Sequence, residues 1–260
     1  MSAARIHPSA IVASGAEIGP DVTIEPYAII GPQVRIGRGT RVGSHTVIEG
    51  HTTIGCDNQI FHHASVGVVT QDLKYRGEDS ELIIGDHNII REFTTLNTGT
   101  AGGGMITRLG NHNLVMNYSH IAHDCLLGNH IIVANGVQLG GHVTIEDYVF
   151  LGALAGVHQF VKVGESAILG AGAMVSQDVA PYCNATGDRA RLHGLNLIGL
   201  KRRGFSVELV RDIKRAYRIV FKSGLKLTEA VARVRAEVPA SREIDHFLAF
   251  IAASERGVCR

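Results

Sequence analysis

From Ile6 to Val66 a branched aliphatic side chain recurs at every sixth residue. The positions are Ile6, Val12, Ile18, Ile24, Ile30, Ile36, Val42, Ile48, Ile54, Ile60 and Val66. Four residues after each comes a small or compact side chain, among them Ala10, Ala16, Val22, Ala28, Thr40 and Asn58. A helix face repeats near 3.6 residues and a strand face at 2, so a period of six belongs to neither. It is the signature of a hexapeptide-repeat parallel β-helix. Three hexads make one triangular coil. Each short strand then pairs with the strand one coil away, about 4.8 Å along the axis.

The register is interrupted twice. Residues 71–83 (QDLKYRGEDSELI) are polar, and the pattern resumes in phase at Ile84, Ile90 and Leu96. A loop thrown out from an intact coil has this form. The stretch around 101–108, with Gly102-Gly103-Gly104-Met105, shifts the register by one residue. Hexads then run from Leu109 to Val175. After Pro181 the pattern turns helical. Val207, Val210, Ile213, Tyr217 and Val220 share a helix face from Ser206 to about Phe221. Thr228 and Ser241 are candidate caps for two further helices. The expected domains are a solenoid over 1–189 and a helical cap over 190–260 that closes its open end.

Formal charge is +1, so no global field selects nucleic acid. The charge is uneven. Residues 1–195 carry 11 Lys/Arg against 17 Asp/Glu, and residues 196–260 carry 14 against 7. A basic cap suits an acidic partner or a phosphate. The four cysteines (Cys56, Cys125, Cys183, Cys259) are far apart and show no metal or redox spacing, which suits a reducing compartment. The opening residues MSAARIHPSA have no apolar core, so no signal peptide is expected. No apolar run approaches the length of a transmembrane segment.

Most of the 14 histidines fall at polar turn positions. His123, His142 and His158 lie in hexads whose first residues, Ile121, Leu139 and Val157, are three hexads apart, so they form a ladder down one groove. His123 is the candidate base, with Asp124 beside it to orient the ring and stabilise the imidazolium. Gly141 comes three hexads after His123, one coil along the axis, where a bare backbone N–H can serve an oxyanion. Three histidines also admit a zinc site. The acid next to His123, the long loop and the basic cap argue against it, and no metal is expected.

The runs QDLKYRGE (71–78), HIAHDC (120–125), GVHQFV (156–161) and GLKRRGF (199–205), in this order on hexads with a helical tail, resemble the acyl-[acyl-carrier-protein]–UDP-N-acetylglucosamine O-acyltransferase family over nearly the full chain. The resemblance implies a left-handed parallel β-helix with a C-terminal α-helical domain. It implies a cytoplasmic homotrimer with each site in a cleft between two subunits. The implied reaction moves a 3-hydroxyacyl chain from the phosphopantetheine of acyl carrier protein to the 3-hydroxyl of UDP-N-acetylglucosamine, the first step of lipid A biosynthesis. No other cofactor is implied. His123, Asp124 and Gly141 match the catalytic group. Asp72, Lys74, His120, His142, His158 and Gln159 match substrate contacts, and Asn196, Arg202 and Arg203 match residues at the nucleotide end. Ala171 falls in the stretch that sets acyl-chain length. One departure is Asn97, where the family usually has histidine, and this leaves acylation of a 3-amino sugar nucleotide open. A later N-acyltransferase of the pathway typically adds an N-terminal uridine-binding domain, for which hexads beginning at Ile6 leave no room. The remaining alternatives are a histidine-zinc β-helix hydratase and a non-catalytic scaffold.

Overall fold

The computed structural model describes residues 2–260. Three parallel sheets of very short strands form the walls of a triangular prism, with strands two to four residues long along most of its length. The register follows the hexads. Ile6 pairs with Ile24, Ile24 with Val42 and Val42 with Ile60, all in parallel. Two coils are longer. Val66 pairs with Leu96, and Leu96 with Ile121. The first of these steps spans five hexads where three are usual, and the second spans four hexads and one residue more. The first insertion therefore keeps the phase of the repeat, and the second shifts it.

The hexad aliphatics point inward and are almost fully buried from Ile24 to Val175, whereas Ile6 at the open end is 45% exposed. Each buried aliphatic contributes roughly 1.5–3 kcal/mol of transfer free energy, and the thin core adds these contributions coil by coil. The compact position four residues on also faces inward. Where it is polar its groups are paired: Asn58 Oδ1 accepts the Asn88 N–H at 2.8 Å, and Asn88 Oδ1 accepts the Asn113 N–H at 2.9 Å. This asparagine ladder satisfies backbone donors that the core would otherwise strand.

The insertion boundaries differ from the expected 71–83 and 101–108. Strands Glu81–Ile84 and Ile106–Leu109 start earlier, because they pair over four residues with each other and the first of them also with His51–Ile54. The sheet also runs past residue 190. Strand Arg191–Leu195 folds back antiparallel on Cys183–Thr186 and ends the longest sheet.

Four helices follow: α1 (Leu197–Arg202), α2 (Val207–Lys222), α3 (Leu227–Glu237) and α4 (Arg242–Ala252). Ser206 and Ser241 cap α2 and α4 through their hydroxyls. Thr228 lies inside α3. The helix starts earlier because the Glu229 carboxylate reaches back to the Lys226 N–H. α2 carries the buried face, with Ile213, Ala216, Tyr217, Ile219 and Val220, and packs on α3 and α4. The cap is tied to the solenoid by polar bonds. His246 Nε2 meets Glu146 at 2.7 Å, Ser254 Oγ donates to Asp178 at 2.7 Å, and Cys259 N–H donates to the Asp178 carbonyl at 2.8 Å. Among the described residues no helix is long and apolar enough to cross a membrane.

Candidate active site

The fourth residue of most hexads makes the corner and takes a left-handed backbone: Asp124 (φ 59°), His142 (φ 62°) and Phe160 (φ 66°) follow one another down one edge. Aspartate tolerates this conformation better than most side chains. The Asp124 side chain is wholly buried beneath the second insertion, where Gly103 packs on its carboxylate, while His123 beside it is 14% exposed. His123 Nδ1 and Asp124 Oδ2 are 2.8 Å apart. An Nδ1–H donating to this carboxylate leaves Nε2 free as a proton acceptor.

Gly141 stands directly below. A methyl group built there would lie 2.5 Å from His123 Cε1 and 2.6 Å from Nε2, so the ring rests on the bare backbone. The Gly141 N–H donates to no group among the described residues. His142 completes the cluster, edge-on to His123 with ring centroids 5.0 Å apart and stacked on Phe160 at 4.3 Å. Its Nδ1 is 3.9 Å from Asp124 Oδ2. Burial holds the His142 imidazole below its ordinary pKa, partly offset by Asp124. His120 is lowered too, by burial and then by His123, and its Nδ1 sits 2.7 Å from Thr95 Oγ1. Both rings favour the neutral form, suited to hydrogen bonding with a polar substrate. His158 Nδ1 donates to the Gln159 carbonyl at 3.0 Å, fixing its tautomer.

A groove of about 670 Å³ leads away along the same sheet, with His120, His158 and Met174 among its lining residues. Met174 is a groove residue that the sequence reading missed. Ala171 sits on an exposed corner and is absent from this lining on the single chain. In the first insertion, Asp72 Oδ1 accepts the Lys74 N–H at 2.9 Å, and both charges act on His142 in opposite directions. Cys125 is buried and its thiol is pushed up to about 12, so it is no nucleophile.

Three predicted positions take on other work. Asn97 is buried, and its amide donates to the Val68 and Val69 carbonyls at 3.2 and 3.1 Å, latching the root of the first insertion. Asn196 caps α1 through Gly199 N–H and donates to the Ser166 carbonyl at 2.9 Å. Arg203 is committed to Glu165 at 2.7 Å and to the Ser166 hydroxyl. Its guanidinium also lies 3.7 Å from the Tyr148 ring centroid. Arg202 makes no ion pair among the described residues. The Tyr148 corner is a different edge of the prism from the Asp124 corner, so one chain does not bring these two groups together.

A family model for UDP-N-acetylglucosamine O-acyltransferase domain 2 matches residues 178–259, and a bacterial transferase hexapeptide model matches residues 15–50. The acyl-[acyl-carrier-protein]–UDP-N-acetylglucosamine O-acyltransferase of Myxococcus xanthus is 53% identical over 257 residues, covering 99% of this chain and all of the relative. The chain belongs to this acyltransferase family. The enzyme of that name from Trichlorobacter lovleyi is 56% identical, covering 100% of this chain and 98% of its own. Among solved structures, LpxA from Acinetobacter baumannii superposes with a TM-score of 0.96 at 44% identity, covering 98% and 99% of the two chains. The prism is thus the family's left-handed parallel β-helix of hexapeptide repeats, closed by a helical region. Of the expected site residues, His123, Asp124, Gly141, His142, His158 and Gln159 lie along one edge of it.

Proposed function

We propose that this chain transfers a 3-hydroxyacyl group from acyl carrier protein to the 3-hydroxyl of UDP-N-acetylglucosamine, the opening step of lipid A biosynthesis. The observation that carries the proposal is the 2.8 Å His123–Asp124 contact seated on Gly141, in a chain that matches the whole length of a relative in this family. His123 Nε2 removes the proton of the sugar hydroxyl. The oxygen attacks the thioester carbon, and negative charge on the carbonyl oxygen is met by the Gly141 N–H. The carbon–sulfur bond then breaks, and the imidazolium returns its proton to the departing thiolate. General-base help of this kind is worth about 10²–10⁴-fold, with positioning supplying much of the rest.

The groove beside His120 and His158 accepts the apolar chain, and no cofactor beyond the donor's phosphopantetheine takes part. The basic cap, whose Arg256 and Arg260 meet Arg189 and Arg191 from the end of the solenoid around a cavity of about 880 Å³, offers acidic carrier protein a docking face. A homotrimer with its site between two chains fits the separation of His123 from Arg203, which lies over Tyr148 on a different edge of the prism. Four free thiols suit a cytoplasmic setting.

Two other readings have an observation behind them. Asn97 replaces the family's histidine, which keeps a 3-amino acceptor in play. Its amide is spent on the Val68 and Val69 carbonyls, which favours a role in loop position over acceptor choice. His123, Asp124 and His142 also place ligand atoms close enough for one metal ion. Both Asp124 oxygens are already engaged, by Thr100 and His123, so the donors suit a base and its orienting acid better than a zinc ligand set. Incubation with hydroxyacyl carrier proteins of varied length and either UDP-N-acetylglucosamine or its 3-amino analogue, read by mass spectrometry, tests the proposal. An O-acylated product is expected. Product from the amino sugar alone, or stoichiometric zinc by elemental analysis with no acyl product, would replace it.

A further inference from the structure

We propose that the second insertion, residues 98–105, is a clamp for the catalytic pair, and that Thr100 is its positioning residue. The inference rests on the reading of His123 as the base. Leu96 pairs with Ile121, so Gly99 stands one coil from Asp124 and the insertion leaves the solenoid at the corner that carries the pair. Thr100 grips the carboxylate twice. Its N–H donates to Asp124 Oδ1 at 3.0 Å and its hydroxyl to Oδ2 at 2.6 Å. Thr107, just beyond the insertion, accepts the Asp124 N–H at 2.8 Å. Gly103 lies flat against the same carboxylate, with no room for even a methyl group.

The clamp is itself braced. Gly103 and Met105 both donate N–H groups to the Thr100 carbonyl, at 3.1 and 3.0 Å. The Glu81 N–H donates to the Met105 carbonyl at 2.8 Å, pinning the loop to the neighbouring sheet. At the next two corners of this edge, His142 and Phe160 stack on each other and no insertion covers them. The added residues of the second insertion therefore serve one corner.

Two consequences follow from this geometry. A carboxylate fixed through both oxygens has one direction left, toward His123 Nδ1, and so sets the ring plane over Gly141. Oδ2 is also shared between the Thr100 hydroxyl and His123, so the hydroxyl limits how strongly Asp124 stabilises a protonated ring. The other groups facing His123 are His142, edge-on at 5.0 Å, and His120, while Asp72 and Lys74 act on His142 from the first insertion.

The test compares pH–rate profiles of Thr100→Val, Thr100→Ser and His123→Ala, with the melting temperature of each. Thr100→Val is expected to lower kcat about tenfold with KM little changed, as loss of one hydrogen bond to a charged group implies. Its acid limb is expected to move to higher pH, because the freed Oδ2 holds the protonated ring more strongly. Thr100→Ser should restore both. A loss of kcat at all pH values with the limb unmoved, or a Thr100→Ser variant as impaired as Thr100→Val, would overturn the clamp. If His123→Ala keeps full activity, it is the base assignment that fails. Should Thr100→Val not fold, Thr100→Ala with the His123 ring titrated by ¹⁵N NMR gives the same decision: an upward shift supports the clamp, and no shift removes it.

Discussion

At Gly141 the site depends on a missing methyl group. The His123 ring occupies the space a Cβ would need, and the glycine is not in the left-handed region, so alanine there is strained only by the ring. Gly141→Ala is expected to push the ring aside and lower kcat about 10²-fold, with a melting temperature close to wild type. Steady-state kinetics alongside thermal unfolding checks this. The His123–Asp124 pair was legible in the sequence because the two residues are adjacent, and Gly141 because three hexads make one coil. Arg203 and Asn196 were not legible as structural residues. Their partners Glu165 and Ser166 lie at least 30 positions away, and contacts across the solenoid–cap junction leave no mark in local spacing. Thr100 escaped for a similar reason: nothing in LNTGT tells which corner the loop folds back upon.

The elements follow the hexads closely, because a solenoid stacks each unit only on its neighbours and the inward position repeats without ambiguity. Ile145 is 1% exposed between Leu127 and Val163. Ile145→Asp buries an unpaired charge in this column and is expected to cost several kcal/mol, enough to abolish the cooperative transition seen by circular dichroism. Insertion boundaries were less legible. Polar residues such as Glu81 alternate with buried ones such as Leu82 and read as loop until their strand partners are known. Asn97 is the hinge pin of the first insertion. Asn97→Ala removes two donors to the Val68 and Val69 carbonyls, so amide exchange in residues 69–80 should quicken. The KM for the nucleotide sugar should rise several-fold while kcat changes less, since Asp72 and Lys74 are carried on that loop.

Across the whole molecule, the cap and the solenoid share one continuous hydrophobic core, and polar bonds stitch the seam between them. His246 is the titrating member of that seam. Its hydrogen bond to Glu146 raises its pKa above the ordinary 6.5, and Glu165 adds to the effect against Arg242. A base whose folded pKa is raised adds stability that is full below the unfolded value and lost as pH rises through the folded one. The melting temperatures of wild type and His246→Ala should therefore differ most below about pH 6.5 and converge in the alkaline range. The basic cap carries a second consequence at this scale. If acidic carrier protein docks there, the KM for acyl carrier protein should climb with ionic strength while the KM for the sugar nucleotide moves little. That the carboxy-terminal quarter is basic and helical could be read directly from the sequence. How it seats on the last coil could not, because strand Arg191–Leu195 and short α1 carry too few residues to show a period.

Acyl transfer by His123→Ala tests the account most directly. Purified wild type and variant, matched in circular dichroism and melting temperature, are given hydroxyacyl carrier protein and UDP-N-acetylglucosamine, and ester product is timed by mass spectrometry. The account predicts that the variant loses at least about 10²-fold in kcat, the lower bound for general-base help, with the KM for the sugar nucleotide largely kept. A folded variant that forms product at the wild-type rate would contradict it.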